Sequence, residues 1–334
     1  MERYQSARRP VAVNFAGLSS QHYVKDRLTH RIHFYPAKLL GQIPAFFVRA
    51  LTSPGDVVLD PFAGSGTVAL EAILAGRKAL VAEINPLARL ISRVKTTPLS
   101  FALLQREISA FCNAIDLRGH SISALPSILS DWHDEGVLRQ LSAILNCLRR
   151  HYPETDDPET TALREFMLLV FSAMIRRKSL ADPRIAPPVR LRSAKFRKGS
   201  RRRRQVNALL RAKRKLDCRA VFRQVAIENA RRVGSLATHL QAPSTMSVVA
   251  HDARDIPLTK QVVADLIVTS PPYLAAQKYT RSTSLELYWL GFLSSGAERS
   301  RLEHKVIGSE IAQLKRGQHR PRNEFKAIDR LIQS

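Results

Sequence analysis

Val268-Thr269-Ser270-Pro271-Pro272-Tyr273 follows the apolar run Ala264-Asp265-Leu266-Ile267. Neither proline can donate to a sheet ladder, and Ser270, which precedes one of them, is pushed out of the helical region. The sequence therefore predicts a buried strand over 264 to 269 that hands over to a rigid, extended turn. That turn projects Ser270 and Tyr273 from the strand's carboxyl end, the side of an open α/β sheet where ligands bind. A small hydroxyl acceptor, carbonyls that cannot join a ladder and an aromatic face together suit a planar substrate carrying an amino group. Taken alone, the string reads equally as an ordinary strand exit with a Pro-Pro brake.

A second constellation lies two hundred residues upstream. Asp56-Val57-Val58-Leu59 has a strand pattern, Asp60-Pro61-Phe62-Ala63-Gly64-Ser65-Gly66-Thr67 a glycine turn, and Val68 to Ala75 a helical run that Gly76 can cap. Strand, glycine turn and helix open a nucleotide-binding α/β unit, whose glycines let a ligand approach the backbone. The third glycine of the dinucleotide fingerprint is missing, since position 69 is Ala. That absence argues against a pyrophosphate cofactor. Arg77 to Glu83 then reads as a second strand ending in an acid about twenty residues on, where a carboxylate takes both ribose hydroxyls. The set suits an adenosine without phosphates.

With these residues in place, the chain resembles the S-adenosylmethionine-dependent amino-methyltransferases of DNA, which modify the exocyclic nitrogen of cytosine or adenine. Two further segments resemble that family. His33-Phe34-Tyr35-Pro36-Ala37-Lys38 matches its amino-terminal cofactor segment, and His251-Asp252-Ala253-Arg254 places an acid where the cofactor's adenine is met. The resemblance covers residues 30 to 95 and 246 to 292. It implies S-adenosylmethionine as cofactor, with Phe34, Tyr35, Lys38, Asp60, Phe62, Gly64, Gly66, Thr67, Glu83 and Asp252 around it. It implies Ser270, Pro271, Pro272 and Tyr273 as the catalytic loop. The implied fold is α/β, a Rossmann-like methyltransferase sheet.

An exocyclic amino group conjugated to its ring is a poor nucleophile. The Ser270 hydroxyl and the Pro271 carbonyl can accept its two hydrogens and favour a pyramidal nitrogen, so that methyl transfer is a direct in-line displacement. The base must leave the duplex to be reached, and Tyr273 offers a face for it to stack on. In the resembled family a serine before Pro-Pro-Tyr is commoner among N4-cytosine enzymes, which favours cytosine N4 as target. The N6-adenine enzymes and an RNA amino-methyltransferase are the competing enzymes. A nucleic-acid-binding protein that keeps the motifs without catalysis is the competing reading from another class.

Composition bounds the rest. A chain of 334 residues with 45% hydrophobic content can bury a sizeable core. Lys and Arg outnumber Asp and Glu by 53 to 28, a net charge of +25 with pI near 10.9, which predicts attraction to DNA more than to a membrane. The longest apolar stretch, Phe166 to Ile175, is too short to span a bilayer, and a cytoplasmic location is expected. Cys112, Cys147 and Cys218 lack paired spacing and read as core thiols. No metal site is expected, and His30 and His33 read as loop contacts.

Residues 99–240 read as an α-helical insertion between the two halves of the methyltransferase domain, 1–98 and 241–334. Apolar residues at three-to-four spacing predict helices over Phe101 to Ile115, Gly136 to Arg150, Thr160 to Arg177 and Arg201 to Leu240. From Arg176 to Lys215 there are seventeen Lys or Arg residues and one acid, Asp182. The centre of this run, Arg197, Lys198 and Arg201 to Arg204, cannot pack against itself and is expected to face solvent or phosphate. The alternative is a solvated loop with no partner. Only four strands are predicted, at 56 to 60, 78 to 83, 247 to 251 and 264 to 269. The sheet is therefore expected to be incomplete towards its carboxyl end, with a partner polypeptide as one way to complete it.

Overall fold

The computed structural model describes residues 13, 15, 28–118, 121–215, 217–240, 245–257, 263–272 and 278–308. Four parallel strands form one sheet in the order β3-β2-β1-β4. They are β1 (Val57–Asp60), β2 (Lys78–Ala82), β3 (Met246–Ala250) and β4 (Leu266–Ile267). The apolar, largely β-branched Val57-Val58-Leu59 makes β1 the centre, flanked on both sides and buried at Val58, Leu59 and Asp60.

The fourth strand departs from expectation. It pairs with β1 over two residues, Val58 with Leu266 and Leu59 with Ile267, flanked by single hydrogen bonds from Asp265 N to Val57 O and from Val268 N to Leu59 O. It is not buried either: Val263 and Ile267 are 62% and 61% exposed. Among the described residues nothing pairs with its outer side, and of its alternating side chains Leu266 and Val268 pack on the core while Ile267 faces outward.

Helix α1 (Gln42–Leu51) precedes β1, and α2 (Thr67–Leu74) connects β1 to β2. All eight residues of α2 are buried, which is why its sequence shows no polar stripe. Its one carboxylate, Glu71, meets His30 Nε2 at 2.7 Å. Helix α3 (Pro86–Thr96) follows β2, with Asn85 as its cap accepting from Leu87 N and Pro86 in its first turn.

A block of helices comes next: α4 (Phe101–Ala114), α5 (Glu135–His151), α6 (Pro158–Lys178), α7 (Arg201–Lys215) and α8 (Cys218–Ala237). The last two were expected as a single helix. Asp217 breaks it, because its carboxylate accepts from Ala220 N at 2.6 Å and starts a new helix. Helices α4, α5, α6 and α8 share one apolar core with Ile32, Tyr35, the inner face of α3 and the helix α10 (Ser284–Trp289). A smaller core lies between α2 and the sheet, built on Val48, Val58, Leu70, Ile73 and Val81. The three cysteines are buried. After β4 come α9 (Tyr279–Ser282), α10 and α11 (Gly296–Lys305). No described helix is long and apolar enough to cross a membrane.

Gly66 sits at φ +72° before α2, and a Cβ there would fall 2.8 Å from Ser92 Oγ on α3. Its glycine is therefore set by the close approach of α2 to α3. Gly66→Ala combines a left-handed backbone with overpacking and should lower stability by about 2–4 kcal/mol. Urea unfolding of the two proteins measures this, and a loss below 1 kcal/mol would show that α3 yields at no cost.

Candidate active site at the carboxyl ends of the first and fourth strands

The chain steps from β1 outward to β2 and β3 on one side, while β4 lies on the other side of β1. A crevice opens at such a reversal, beyond the carboxyl ends of the two strands concerned. β1 ends in Asp60 and β4 runs on to Thr269 and Ser270. Thr269 Oγ1 donates to Asp60 Oδ1 at 2.7 Å, and Phe62 N donates to the same oxygen at 3.0 Å. Asp60 thus ties the glycine turn to the Pro-Pro loop across 209 positions of sequence.

Over this junction lies a cavity of about 890 Å³, open to solvent. One wall is the glycine turn, Asp60 to Ser65 with Thr67. A second is the end of β2, Ala82 to Asn85. Tyr35 to Leu39, Asp252, Ala253, Ser270, Pro272, Tyr279, Thr280 and Lys305 to Ile307 close the remainder.

Two of the carboxylates in the cavity, Glu83 and Asp60, are held out of water. Burial pushes Glu83 up to about 7, against hydrogen bonds from Asn85 N at 2.8 Å and Gly64 N at 2.7 Å, with Asp60 adding repulsion. Burial likewise pushes Asp60 up to about 6, although Thr269 and Phe62 donate to it. Opposite in sign, Lys38 is brought down to about 8 by burial and by Arg31. Its ammonium donates to the His33 and His30 carbonyls. Burial raises the Tyr35 hydroxyl well above its usual range, with Glu83 and Tyr279 acting in the same direction.

Of the residues singled out in the sequence, Tyr35, Lys38, Asp60, Phe62, Gly64, Thr67, Glu83, Asp252, Ser270 and Pro272 line this one cavity. Three others do not. Phe34 is 46% exposed and lies under the Arg176 guanidinium, 4.5 Å from its ring centre. Gly66 packs on Ser92. Pro271 is exposed beside the wall, and Tyr273 lies outside the described residues. Both oxygens of Asp252 are engaged by Arg254. His30 and His33 are buried and hydrogen-bonded, His30 to Glu71 and His33 to the Phe34 carbonyl and Ser172 Oγ. They anchor the segment before Tyr35 to the helices.

The DNA methylase family model matches residues 15–92. The type II methyltransferase M.MvaI of Kocuria varians is 32% identical over 164 residues, 46% of this chain and 35% of that protein. Over these segments the chain is similar to DNA methylases and to type II methyltransferases. Its likeness extends to the type II methyltransferase M.PvuII of Proteus hauseri, 37% identical over 68 residues, 20% of each chain. The DNA adenine methyltransferase YhdJ of Escherichia coli K12 is 43% identical over 63 residues, 19% of this chain and 20% of its own. The chain thus spans about a third or less of the length of these relatives. No solved structure matches it.

The DNA methyltransferases that this chain resembles use S-adenosylmethionine as methyl donor. The donor set of the cavity fits that molecule. Two desolvated carboxylates, Glu83 and Asp60, gain from hydroxyl or amino donors brought by a ligand. Lys38, Ser65 and Thr67 supply the donors that a carboxylate needs, and Tyr35, Pro36 and Phe62 give apolar surface.

Sequence reasoning missed part of this site. Asn85 was readable as a helix cap, from Asn-Pro before an apolar run. Its second role was not: Asn85 Nδ2 donates to Thr283 Oγ1 at 3.2 Å, which fastens the end of β2 to the segment after the catalytic loop. Lys305, Val306 and Ile307 reach the cavity from the end of α11 and carry no local signal.

The basic run also differs from expectation. Arg201 to Arg204 begin α7 and partly pack. Arg202 lies 3.7 Å from Asp182 and over the Phe196 ring, while Arg203 donates to the Phe196 carbonyl. Arg197, Lys198, Arg201 and Arg204 are the exposed members. Asp182 makes the packing possible, since Arg184 and Arg202 hold its carboxyl at about 2.

Proposed function

We propose that this chain methylates an exocyclic amino nitrogen of a base in DNA, with cytosine N4 the favoured target. The observation that carries the reading is the Thr269–Asp60 hydrogen bond, because it holds Ser270 and Pro272 on the same cavity as Glu83 and the glycine turn. S-adenosylmethionine supplies an electrophilic methyl group on a sulfonium. Glu83 receives ribose hydroxyls, and Lys38 with the start of α2 faces the carboxylate end. Ser270 Oγ and the Pro271 carbonyl accept the amino hydrogens and turn the nitrogen lone pair towards the methyl group. Tyr273 stacks on the extruded base. Serine before Pro-Pro-Tyr supports cytosine. The named specificity of YhdJ keeps adenine N6 as the second reading, and RNA is a third substrate class.

The test is mass spectrometry of nucleosides from duplex DNA, and separately from transfer RNA, after incubation with the chain and S-adenosylmethionine. N4-methylcytosine in DNA is the expected product. N6-methyladenine would move the assignment to the second reading, and methylation of the RNA alone would remove DNA as substrate. We read residues 1–98 and 241–334 as the two parts of the catalytic unit and 99–240 as the helical block that faces nucleic acid. The open side of β4 is where a partner polypeptide would add strands.

Four arginines in the first turn of α7 stand at the positive end of a helix dipole, an arrangement that phosphates would relieve. Replacing Arg197, Lys198, Arg201 and Arg204 with Gln should weaken DNA binding for all sequences alike. The slope of log K against log salt should flatten by about 3–4, at about 0.9 per phosphate contact. Titrations at several salt concentrations measure this. An unchanged slope would return the run to a solvated surface.

A further inference from the structure

Among the described residues Lys95 is the largest charged side chain that is completely buried, and nothing in the reaction described above uses it. It sits in the last turn of α3, inside the wall of the cavity without lining it. Its Nζ donates to Ser65 Oγ at 3.3 Å, and Ser65, 3% exposed, does line the cavity. Thr29 Oγ1 donates to the Lys95 carbonyl at 2.7 Å, which fixes the turn that carries it.

A buried amine is costly, and an apolar side chain of similar length would fill the space without that cost. Burial brings the Lys95 ammonium well below its usual range, with Lys38 acting in the same direction and Glu71 opposing. Either protonation state keeps an N–H for Ser65. The charged groups acting on Lys95 are Lys38 and Glu71, and Glu71 is shared with His30.

We propose that Lys95 is a positioning residue for the methyl donor: it donates to Ser65 Oγ and so directs the hydroxyl's own hydrogen into the cavity, onto the carboxylate of the bound amino-acid moiety. This rests on the reading of the cavity as the S-adenosylmethionine site. A hydroxyl has one hydrogen, and a donor behind it leaves that hydrogen for an acceptor in front. The glycine turn thereby gains a side-chain donor for carboxylate whose direction is set from the protein interior.

The experiment is calorimetric titration of the full chain with S-adenosylhomocysteine and with 5′-methylthioadenosine, which keeps the adenosine and lacks the amino-acid carboxylate. Ser65→Ala and Lys95→Met should each lower affinity for S-adenosylhomocysteine about tenfold, the scale of a hydrogen bond to a charged group. Affinity for 5′-methylthioadenosine should stay within about twofold, and the double variant should lose little more than either single one. Ser65→Ala carries the test if Lys95→Met fails to fold. Equal losses for both ligands, or no loss for either, would overturn the proposal alone. Failure of the unaltered chain to bind either ligand would overturn the cofactor reading and this proposal with it.

Discussion

Ser270→Ala is expected to cut methyl transfer by about 10²–10³-fold, the scale for loss of one group that acts on charge and geometry at the reacting atom. Binding of S-adenosylhomocysteine should stay within about twofold. Pro271 and Pro272 remove two amide donors and hold Ser270 extended at the end of β4. Its hydroxyl is half-buried on the cavity, next to Thr269, whose own hydroxyl is committed to Asp60. On the proposed reading Ser270 accepts a hydrogen from the substrate. That contact strengthens as the amino nitrogen becomes pyramidal, so its loss appears in turnover more than in binding. Single-turnover rates at saturating cofactor measure it. A variant with unaltered rate would remove Ser270 from the reaction, and one that lost cofactor affinity to the same degree would assign it to the cofactor instead.

Glu83→Ala should weaken cofactor binding by about 1.5–3 kcal/mol, roughly ten- to a hundred-fold, as hydrogen bonds to a charged group are lost. The pH dependence gives a second measure. Without ligand, Glu83 is held at about 7 by burial, so below that pH it carries a proton. Hydroxyl donors from a ribose favour the ionised form, and binding must then release the proton. Affinity should therefore fall as pH drops below about 7, by up to tenfold per unit, and the profile should flatten in Glu83→Gln. The same shift acts on stability with the sign of a raised carboxyl. The contribution of Glu83 is present below its ordinary value of 4.5 and is lost as pH rises through about 7. His33 and His133 act oppositely. Burial lowers both to about 4, so their contribution is present above 6.5 and is lost as pH falls towards about 4. Comparing the unaltered chain with Glu83→Gln cancels the histidines. Calorimetry between pH 5.5 and 8.5 that showed parallel profiles would place the ribose away from Glu83.

The parts of this site that the sequence disclosed are those decided locally. A short apolar run before Asp60-Pro61, glycines at 64 and 66 and an acid ending the next strand fix β1, the turn, α2 and β2 with little help from the rest. The Pro-Pro loop is equally local, since proline geometry acts on its neighbours. What stayed hidden depends on distant packing. The apolar string before Ser270 read as a buried strand, yet among the described residues it is a short edge, and Ile267 is left exposed. Gly66 read as a residue that admits a ligand, yet Ser92 on α3 is what forbids a side chain there. Helical periodicity ran through Asp217 without showing that its carboxylate starts a new helix. Phe34 sits one position from Tyr35 but faces Arg176 instead of the cavity. Lys95 could not be told from a surface lysine, because its burial comes from Thr29 and the glycine turn together.

The bond from Thr269 to Asp60 also bears on how the chain acquires its shape. During synthesis β1, α2 and β2 leave the ribosome long before residue 269 exists, at roughly 5–20 residues per second. Their pairing is close in sequence and can form early, whereas β4 can dock on β1 only after all five helices of the block have been made. Contacts of such long separation carry a high closure entropy and form late. Until then the β1 side that receives β4, including the Asp60 carboxylate, is uncovered. The glycine turn is thus free to take up its nucleoside ligand first, and that ligand would act as a template on which the catalytic loop closes.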